Sequence, residues 1–243
     1  MLRFAERDLK LTEAQLKKES RRRTGEGAGE YAERLTKVIA DGLAHIHWEQ
    51  YPVDRFNQRV PFWENYILWA MSVFTPIPEY RRYHFSNPEK SMERGIGICG
   101  DASILMSQLL EREGIRSRLI TVPGHVLVEA LINGAWQTFD PDFGVVLGSP
   151  ASELAINAGS VANLYKEQGF KYYEAAFIED ALAASPTYWD GVKHFITKKH
   201  YFEKFAYVFK WILPLVFLAF GVMVLISLTR ASHAISVKAP IRR

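Results

Sequence analysis

The hydrophobic pattern in the first half of the chain predicts a series of amphipathic helices. Leu2, Leu9 and Leu16 stand seven residues apart within the charged segment 2–20. A second helix is predicted before Pro52 from apolar residues at helical spacing: Tyr31, Leu35, Val38, Ile39, Leu43 and Ile46. Residues 62–74 are mostly apolar and predict a third, more buried helix.

The pattern changes in the middle of the chain, where strands are predicted. A helix over residues 100–113, closed by Gly114, is followed by strands over 117–122, 125–132 and 135–139. Between the last two strands stands Asn133-Gly134, a strong signal for a hairpin turn. The chain returns to helical patterns after this hairpin, which predicts an α+β fold built on a small antiparallel sheet.

The C-terminal region contains an uninterrupted apolar run that predicts one membrane-spanning helix. Residues 211–229, WILPLVFLAFGVMVLISLT, carry no charge over nineteen positions. At about 1.5 Å per residue this run spans roughly 28 Å, close to the hydrocarbon thickness of a bilayer. Aromatic and basic residues flank the run, as is common at membrane interfaces.

Charge is unevenly distributed and limits the class of partner. The net charge is +3, but residues 193–243 carry nine Lys and Arg and one acidic residue, which leaves −5 for residues 1–192. An acidic body with a basic tail argues against nucleic-acid binding and associates the basic character with a membrane surface. Residues 1–20 lack the apolar segment of a signal peptide, so we expect the body on the cytoplasmic side.

Together these patterns predict five consecutive regions: a charged amphipathic leader (1–24), the main domain (25–192, with its motif core at 95–144), a basic aromatic juxtamembrane segment (193–210), the span (211–229) and a basic tail (230–243). The leader is interpreted either as a solvated helix or as a second contact with the membrane surface. Acidic residues among its basic ones favour the solvated helix.

Three glycines precede the helix predicted over residues 100–113. Gly95, Gly97 and Gly100 match the dinucleotide-binding pattern G-x-G-x-x-G. In dinucleotide-binding proteins a strand precedes these glycines. Here Asn87 and Pro88 predict the capped start of a helix that ends at Gly95, so no nucleotide cofactor is expected.

Cys99 is the single cysteine of the chain, which excludes an intramolecular disulfide and a multi-cysteine metal site. It stands at the predicted start of the helix over residues 100–113. Unpaired N–H groups and the dipole at a helix N-terminus favour the thiolate, which is the nucleophilic form of cysteine. A lone cysteine is usually inert, so its functional interpretation depends on the residues that follow.

His125 and Asp140 lie where the predicted hairpin brings them together. His125 begins one strand, and Asp140 ends its partner strand. Counting outward from the turn, residue 127 faces residue 140, so His125 is a diagonal neighbour of Asp140 on the same face. A carboxylate there reaches an imidazole N–H, and with Cys99 the three supply a nucleophile, a base and a group that orients the base.

The segment 95–144 resembles the core of the transglutaminase-like superfamily, a branch of the papain-like thiol enzymes. Five features agree in order: a Cys at a helix start, a Leu-rich helix closed by Gly-Ile, a strand leading to Gly-His, then a Glu and a Trp before Asp-Pro. The resemblance implies a nucleophile helix packed on a small antiparallel sheet, with flanking helices. It also implies Cys99 as nucleophile, His125 as general base and acid, and Asp140 as the orienting residue.

Papain-like enzymes usually complete the oxyanion hole with a side-chain donor upstream of the nucleophile. Trp63, Asn65 and Asn57 are the candidates for this donor. The backbone N–H of Cys99 is the candidate for the other donor. Asp101, two residues after Cys99, suits a helix N-terminus, but its negative charge opposes formation of the thiolate.

Two residues near the triad have weaker interpretations. Glu129 shares a strand face with His125, and either supports the site or is merely polar at the sheet edge. Trp136 fits core packing better than substrate binding. Glu129 and Trp136, together with Trp63 and Asn65, are weak candidates for substrate contacts.

The sequence thus predicts a membrane-anchored thiol enzyme that acts on an amide or peptide through a Cys-His-Asp triad and a thioester. Hydrolysis is favoured over transamidation because water needs no second binding site. The alternative is a non-catalytic, membrane-anchored binding module that keeps the same fold. No metal is expected, because His45 and His47, two residues apart on the predicted second helix, do not share a face.

Overall fold

The computed structural model of the protein describes residues 10–46 and 51–238, with side chains up to residue 230. The fold is α+β, with an antiparallel sheet between helices and one long apolar helix at the C-terminal end. The helices in chain order are α1 (Glu13–Glu19), α2 (Ala28–Gly42), α3 (Tyr66–Phe74), α4 (Pro78–Arg81), α5 (Pro88–Arg94), α6 (Cys99–Arg112), α7 (Ala151–Leu154), α8 (Ala158–Glu167), α9 (Tyr172–Ala183), α10 (Gly191–Phe195) and α11 (Thr197–Lys238). The strands are β1 (Ala44–His45), β2 (Ile96–Gly97), β3 (Ser117–Val122), β4 (His125–Ile132), β5 (Ala135–Asp140), β6 (Val145–Val146) and β7 (Thr187–Trp189).

The main sheet has five antiparallel strands in the order β6-β5-β4-β3-β7. The hairpin of β4 and β5 has the predicted register, because Ile132 pairs with Ala135 and Val128 pairs with Phe139. Asn133 and Gly134 both have positive φ, 52° and 83°, as a tight two-residue hairpin requires. The turn residues therefore fix which side chains of β4 and β5 lie side by side.

The second helix ends earlier than predicted, because the chain after it enters a second, two-stranded sheet. The helix α2 ends at Gly42, and the chain then enters β1 rather than continuing as a helix toward Pro52. Strand β1 pairs in parallel with β2, with His45 opposite Gly97. Because this pairing joins segments about fifty residues apart, the local helical spacing could not reveal it.

The five-stranded sheet has a hydrophobic core on each face. Helices α1, α2 and α6 cover one face, where Leu35 and Leu105 pack with Val128 and Phe139 of the sheet. Helices α7, α8 and α9 cover the other face, in a cluster that includes Leu127. The neighbours Leu127 and Val128 thus face opposite cores, as alternation along a strand requires.

The described part of the leader packs on the body. Helix α1 is capped by Thr12, whose hydroxyl accepts a hydrogen bond from the backbone N–H of Gln15. Its single buried side chain, Leu16, lies against α2 so closely that a Cβ at Gly42 would stand 2.7 Å from a Leu16 methyl group. Leu2 and Leu9 lie outside the described residues.

Helix α3 is shorter and much more exposed than predicted. It begins at Tyr66, where the Asn65 side chain caps it, and only Leu68 and Ser72 are buried within it. Trp63, which precedes the helix, is 87% exposed, and Phe74, the last residue of the helix, is 76% exposed. The prediction of a buried helix over residues 62–74 was therefore wrong, because an apolar composition does not show whether a neighbour covers the helix.

Helix α11 is continuous from the body into the apolar run. Among the described residues, its stretch Thr197–Arg230 is the one helix long and apolar enough to span a membrane, with a mean hydropathy of 2.6 over its most apolar 18 residues. Its first turns belong to the body, since Glu203 and Ala206 are buried against residues that follow α4. The juxtamembrane segment is thus an ordered part of the fold.

Candidate active site

Cys99 is the first residue of α6, directly after the short strand β2 and the N-cap residue Ile98. Cys99 and Gly100 are partly exposed, whereas Asp101 and Ala102 of the same first turn are buried. Residues at a helix start have backbone N–H groups without acceptors in the same helix. The local structure therefore holds the sulfur at the positive end of the α6 dipole.

Asp101 stabilises this first turn. Its Oδ2 accepts a hydrogen bond of 3.0 Å from the backbone N–H of Ile98, which forms the second half of a capping box. The same oxygen lies 2.8 Å from Nδ1 of His84, and Oδ1 lies 3.9 Å from Nη2 of Arg94. The Asp101 carboxylate is thus held by partners on its own side of the helix start.

The groups around Asp101 compensate the negative charge that would otherwise oppose formation of the Cys99 thiolate. Burial alone raises the pKa of the Asp101 carboxyl, but His84, Arg94 and the N–H of Ile98 outweigh burial and lower the pKa below its ordinary value. Burial lowers the pKa of Arg94 to about 10, while Asp101 acts in the opposite direction. The negative charge of Asp101 is therefore compensated locally.

His125 and Asp140 make the predicted contact. Nε2 of His125, the first residue of β4, lies 2.8 Å from Oδ2 of Asp140, the last residue of β5. Both side chains are buried, and Cys99 lies close enough to the imidazole to help raise its pKa. Because Asp140 takes Nε2, the ring nitrogen that remains for the thiol is Nδ1.

The carboxylate of Asp140 is fixed on both of its oxygens. Oδ2 also accepts a hydrogen bond of 2.8 Å from the hydroxyl of Tyr165. Oδ1 accepts bonds of 3.1 Å from the backbone N–H groups of Asp142 and Phe143. Four donors on one carboxylate fix its position and set the orientation of the imidazole.

The environment of His125 favours its charged form. Burial by itself lowers the pKa of the imidazole, but the charge and hydrogen bond of Asp140, together with Cys99, raise it well above 6.5. Phe143 and Phe177 meet the ring edge-on, with centroids 5.5 and 6.2 Å away. These rings exclude water from the side of the imidazole that does not face its two partners.

Glu129 and Trp136 have structural roles elsewhere on the sheet. Glu129 is fully buried, and its carboxylate lies 2.5 Å from Nε of Arg118 on β3 and accepts the backbone N–H of Ala151 at the start of α7. The Trp136 ring is half-buried beneath Arg118, whose guanidinium lies 4.2 Å from the ring centroid. Trp136 therefore packs with an arginine at the surface rather than in the core.

The three upstream candidates for an oxyanion donor have other surroundings. The Oδ1 of Asn65 caps α3 by accepting the N–H groups of Ile67 and Leu68 at 3.1 and 3.2 Å. Trp63 is exposed beside α3, and Asn57 is exposed in a tight turn with a positive φ of 51°. Within the described part of the chain, no hydrogen bond joins these three side chains to Cys99, His125 or Asp140.

A second histidine–carboxylate pair escaped the sequence analysis. Nδ1 of His45 lies 2.8 Å from Oδ1 of Asp142, and Asp142 donates its N–H to Asp140. His45 also lies opposite Gly97, two residues before Cys99. The pair therefore joins the segment that leads to Cys99 with the loop that follows Asp140. Assigning His45 to a helix concealed this role.

The site thus combines a partly exposed thiol, a buried imidazole and a fixed carboxylate, which is the set of groups needed for nucleophilic catalysis on a carbonyl. Among the described residues, no group of three or more His, Cys, Asp and Glu side chains is placed to hold a metal ion. Comparison with family models, curated proteins and solved structures found no match to this chain.

Proposed function

We propose that this chain is a membrane-anchored thiol enzyme of the transglutaminase-like type, which cleaves or transfers the acyl group of an amide or peptide. The observation that carries the proposal is the hydrogen bond between His125 and Asp140, with Cys99 near enough to the imidazole to raise its pKa. The sequence order and the hairpin that joins the last two residues agree with the resemblance described above. The long apolar helix supports attachment of the enzyme to a membrane.

In the proposed reaction, His125 takes the proton of the Cys99 thiol and the sulfur attacks the carbonyl carbon of the amide. The carbon–nitrogen bond then breaks, the leaving amine takes the proton from His125, and a thioester to Cys99 forms. In hydrolysis, water attacks this thioester while His125 accepts its proton. The carboxylic acid leaves, and the proton returns to the sulfur.

Asp140 has the role of orienting the imidazole and of stabilising it whenever it carries the extra proton. It does so through its hydrogen bond to Nε2, while three other donors hold the carboxylate in place. The oxyanion formed on the carbonyl oxygen lies at the positive end of α6, where backbone N–H groups at the helix start stabilise it. Hydrolysis remains our preferred outcome, and transamidation uses the same residues with an amine in place of water.

We place the body on the cytoplasmic side of the membrane in this proposal. A reducing compartment keeps a partly exposed single thiol free of disulfides. The basic residues around the juxtamembrane segment are compatible with an anionic membrane surface there.

The test is the rate of Cys99 alkylation by iodoacetamide between pH 5 and 9, measured by mass spectrometry on the full chain in detergent. Because Cys99 is the single cysteine, the labelled fraction reports one site. We expect alkylation to stay fast below pH 7 in the wild type and to slow at least tenfold in His125→Ala at the same pH.

The matched control is His194→Ala, which removes an exposed histidine on α10. This variant should keep the wild-type pH profile. A Cys99 that reacts like a free thiol, or that ignores the loss of His125, contradicts the catalytic proposal. A library of amide and peptide substrates then tests turnover, with Cys99→Ser as the inactive reference.

A further inference from the structure

Helix α3 and its flanks expose a continuous aromatic surface. Exposed fractions are 57% for Phe62, 87% for Trp63 and 76% for Phe74. Phe62 meets Trp69 at a centroid distance of 5.2 Å, and Trp69 meets Phe74 at 6.0 Å. We call this surface, formed by Phe62, Trp63, Tyr66, Trp69 and Phe74, the aromatic patch. An exposed apolar surface of this kind is unusual for a protein surrounded only by water.

The aromatic patch contains no charged side chain. Helix α3 reads YILWAMSVF, and its two buried residues, Leu68 and Ser72, leave the other side chains at least partly exposed. Exposed Val73 and Ile77 extend the apolar surface beyond the aromatic rings. Helices with aromatic and aliphatic side chains on one face are typical of segments that lie in a membrane interface.

Three hydrogen bonds fix the position of the patch relative to the predicted span. The hydroxyl of Tyr66, within the patch, donates to the carbonyl oxygen of Lys210 at 3.2 Å. The Lys210 ammonium donates in turn to the carbonyl oxygen of Glu64 at 2.9 Å, and the Tyr207 hydroxyl donates to the Glu64 carboxylate. The patch therefore lies beside the last turn before Trp211, where the uncharged run begins.

The charges near the patch are compatible with this position. The Glu64 carboxylate lies 3.3 Å from the Lys90 ammonium, so it is paired. The Lys210 ammonium lies over the rings of Tyr207 and Trp211, 4.9 and 5.1 Å from their centroids. Basic and aromatic side chains at the end of an apolar helix are the usual anchors at the level of lipid headgroups.

We propose that the aromatic patch inserts into the interface of the same bilayer that α11 spans, as a second membrane contact made by the body itself. Continuity with the start of the uncharged run selects lipid as the partner. The amphipathic Trp and Tyr side chains suit a region that is apolar on one side and hydrated on the other. This inference does not depend on the proposed catalytic function.

The experiment uses the full chain reconstituted at low protein-to-lipid ratio into vesicles of phosphatidylcholine and phosphatidylglycerol. Tryptophan emission is compared with and without lipids brominated near the top of the acyl chains, which quench tryptophan at that depth. Trp63→Phe keeps an aromatic ring, and its difference from the wild type isolates the emission of Trp63. We expect this variant to lose emission that the brominated lipid quenches.

Trp136→Phe is the matched control, because Trp136 stacks with Arg118 on the main sheet. Removing Trp136 should therefore reduce only the part of the tryptophan emission that the brominated lipid does not quench. Trp211→Phe reports insertion of the span and should also lose quenchable emission. If Trp211 is quenched and Trp63 is not, the patch has another partner, such as a second copy of this chain, and the proposal is overturned. If neither is quenched, the membrane premise fails and the proposal falls with it.

Discussion

The imidazole of His125 and the carboxylate of Asp140 meet at 2.8 Å across a hairpin whose turn lies eight residues from His125. Their contact depends on the register of β4 and β5, since a shift of one residue would turn one side chain to the opposite face of the sheet. The tight Asn133-Gly134 turn therefore does more than reverse the chain. It sets the alignment of two groups at the far end of the hairpin.

Replacing Asp140 by Asn should lower the pKa of His125, because the charge that holds the imidazolium is lost while the shape is kept. The alkylation rate of Cys99 at pH 6 is expected to fall by up to tenfold for each unit by which the His125 pKa drops, with the full factor reached once the neutral thiol and imidazole outweigh the ion pair. The measurement is the iodoacetamide profile of the full chain. Asp180→Asn, at an exposed position of α9, is the control, and an equal effect of both variants would contradict the assigned role.

The raised pKa of His125 also predicts how stability depends on pH. Its stabilising contribution is fully present below about pH 6.5, the ordinary imidazole value, and is lost as the pH rises through the higher value in the folded protein. The wild type should therefore exceed His125→Gln in unfolding temperature by more at pH 6 than at pH 9. A difference that grows with pH would show that His125 is held neutral in the fold.

Removing the charge of Asp101 should destabilise the start of α6. The Asp101→Asn variant removes the negative charge that lies near the buried Arg94 guanidinium. It also weakens the contact with His84. Breaking one side of a buried ion pair typically costs about 3–5 kcal/mol of unfolding free energy. Chemical denaturation of the full chain in detergent measures the loss. Asp190→Asn, at an exposed position, should change stability by less than about 0.5 kcal/mol.

Alanine substitutions at Gly97 and Gly100, which flank Cys99, should have different effects on stability and on Cys99 alkylation. A Cβ at Gly97 would stand 2.6 Å from the Cβ of Asp101, whereas a Cβ at Gly100 meets nothing within 4 Å. Gly97→Ala is expected to cost about 1–3 kcal/mol and to slow Cys99 alkylation by displacing the first turn of α6. Gly100→Ala should be neutral or stabilise the helix by up to about 1 kcal/mol. The comparison fails if both variants alkylate at the same rate.

Local chemistry explains which parts of the fold could be predicted from the sequence. The turn at Asn133-Gly134, the cap at Asn87 and the positive φ of 66° at Gly95 are set by neighbouring residues, and each lies where the pattern placed it. The contact of His125 with Asp140 followed from counting along one hairpin. These features need no knowledge of distant segments.

Features that depend on distant segments could not be predicted in this way. Strand β7 reaches the edge of β3 only after three helices have crossed the sheet, and β1 pairs with β2 across α3, α4 and α5. The pair of His45 and Asp142 depends on that second pairing. Composition also could not distinguish a buried apolar helix from α3, whose exposure is decided by what lies beside it.

The packing of α11 against the body limits which targets the proposed enzyme can reach. Glu203, about two turns before the uncharged run, accepts bonds from the Tyr83 hydroxyl and the N–H groups of Ser86 and Asn87, at 3.1, 2.8 and 2.8 Å. The helix therefore acts as a rigid stalk instead of a flexible tether, and about 18 Å of it separates Lys199 from Trp211. In the proposed function, such an enzyme works within a thin layer at fixed height above the lipid and meets its targets by two-dimensional diffusion. A bond outside that layer then stays beyond its reach however long the encounter lasts.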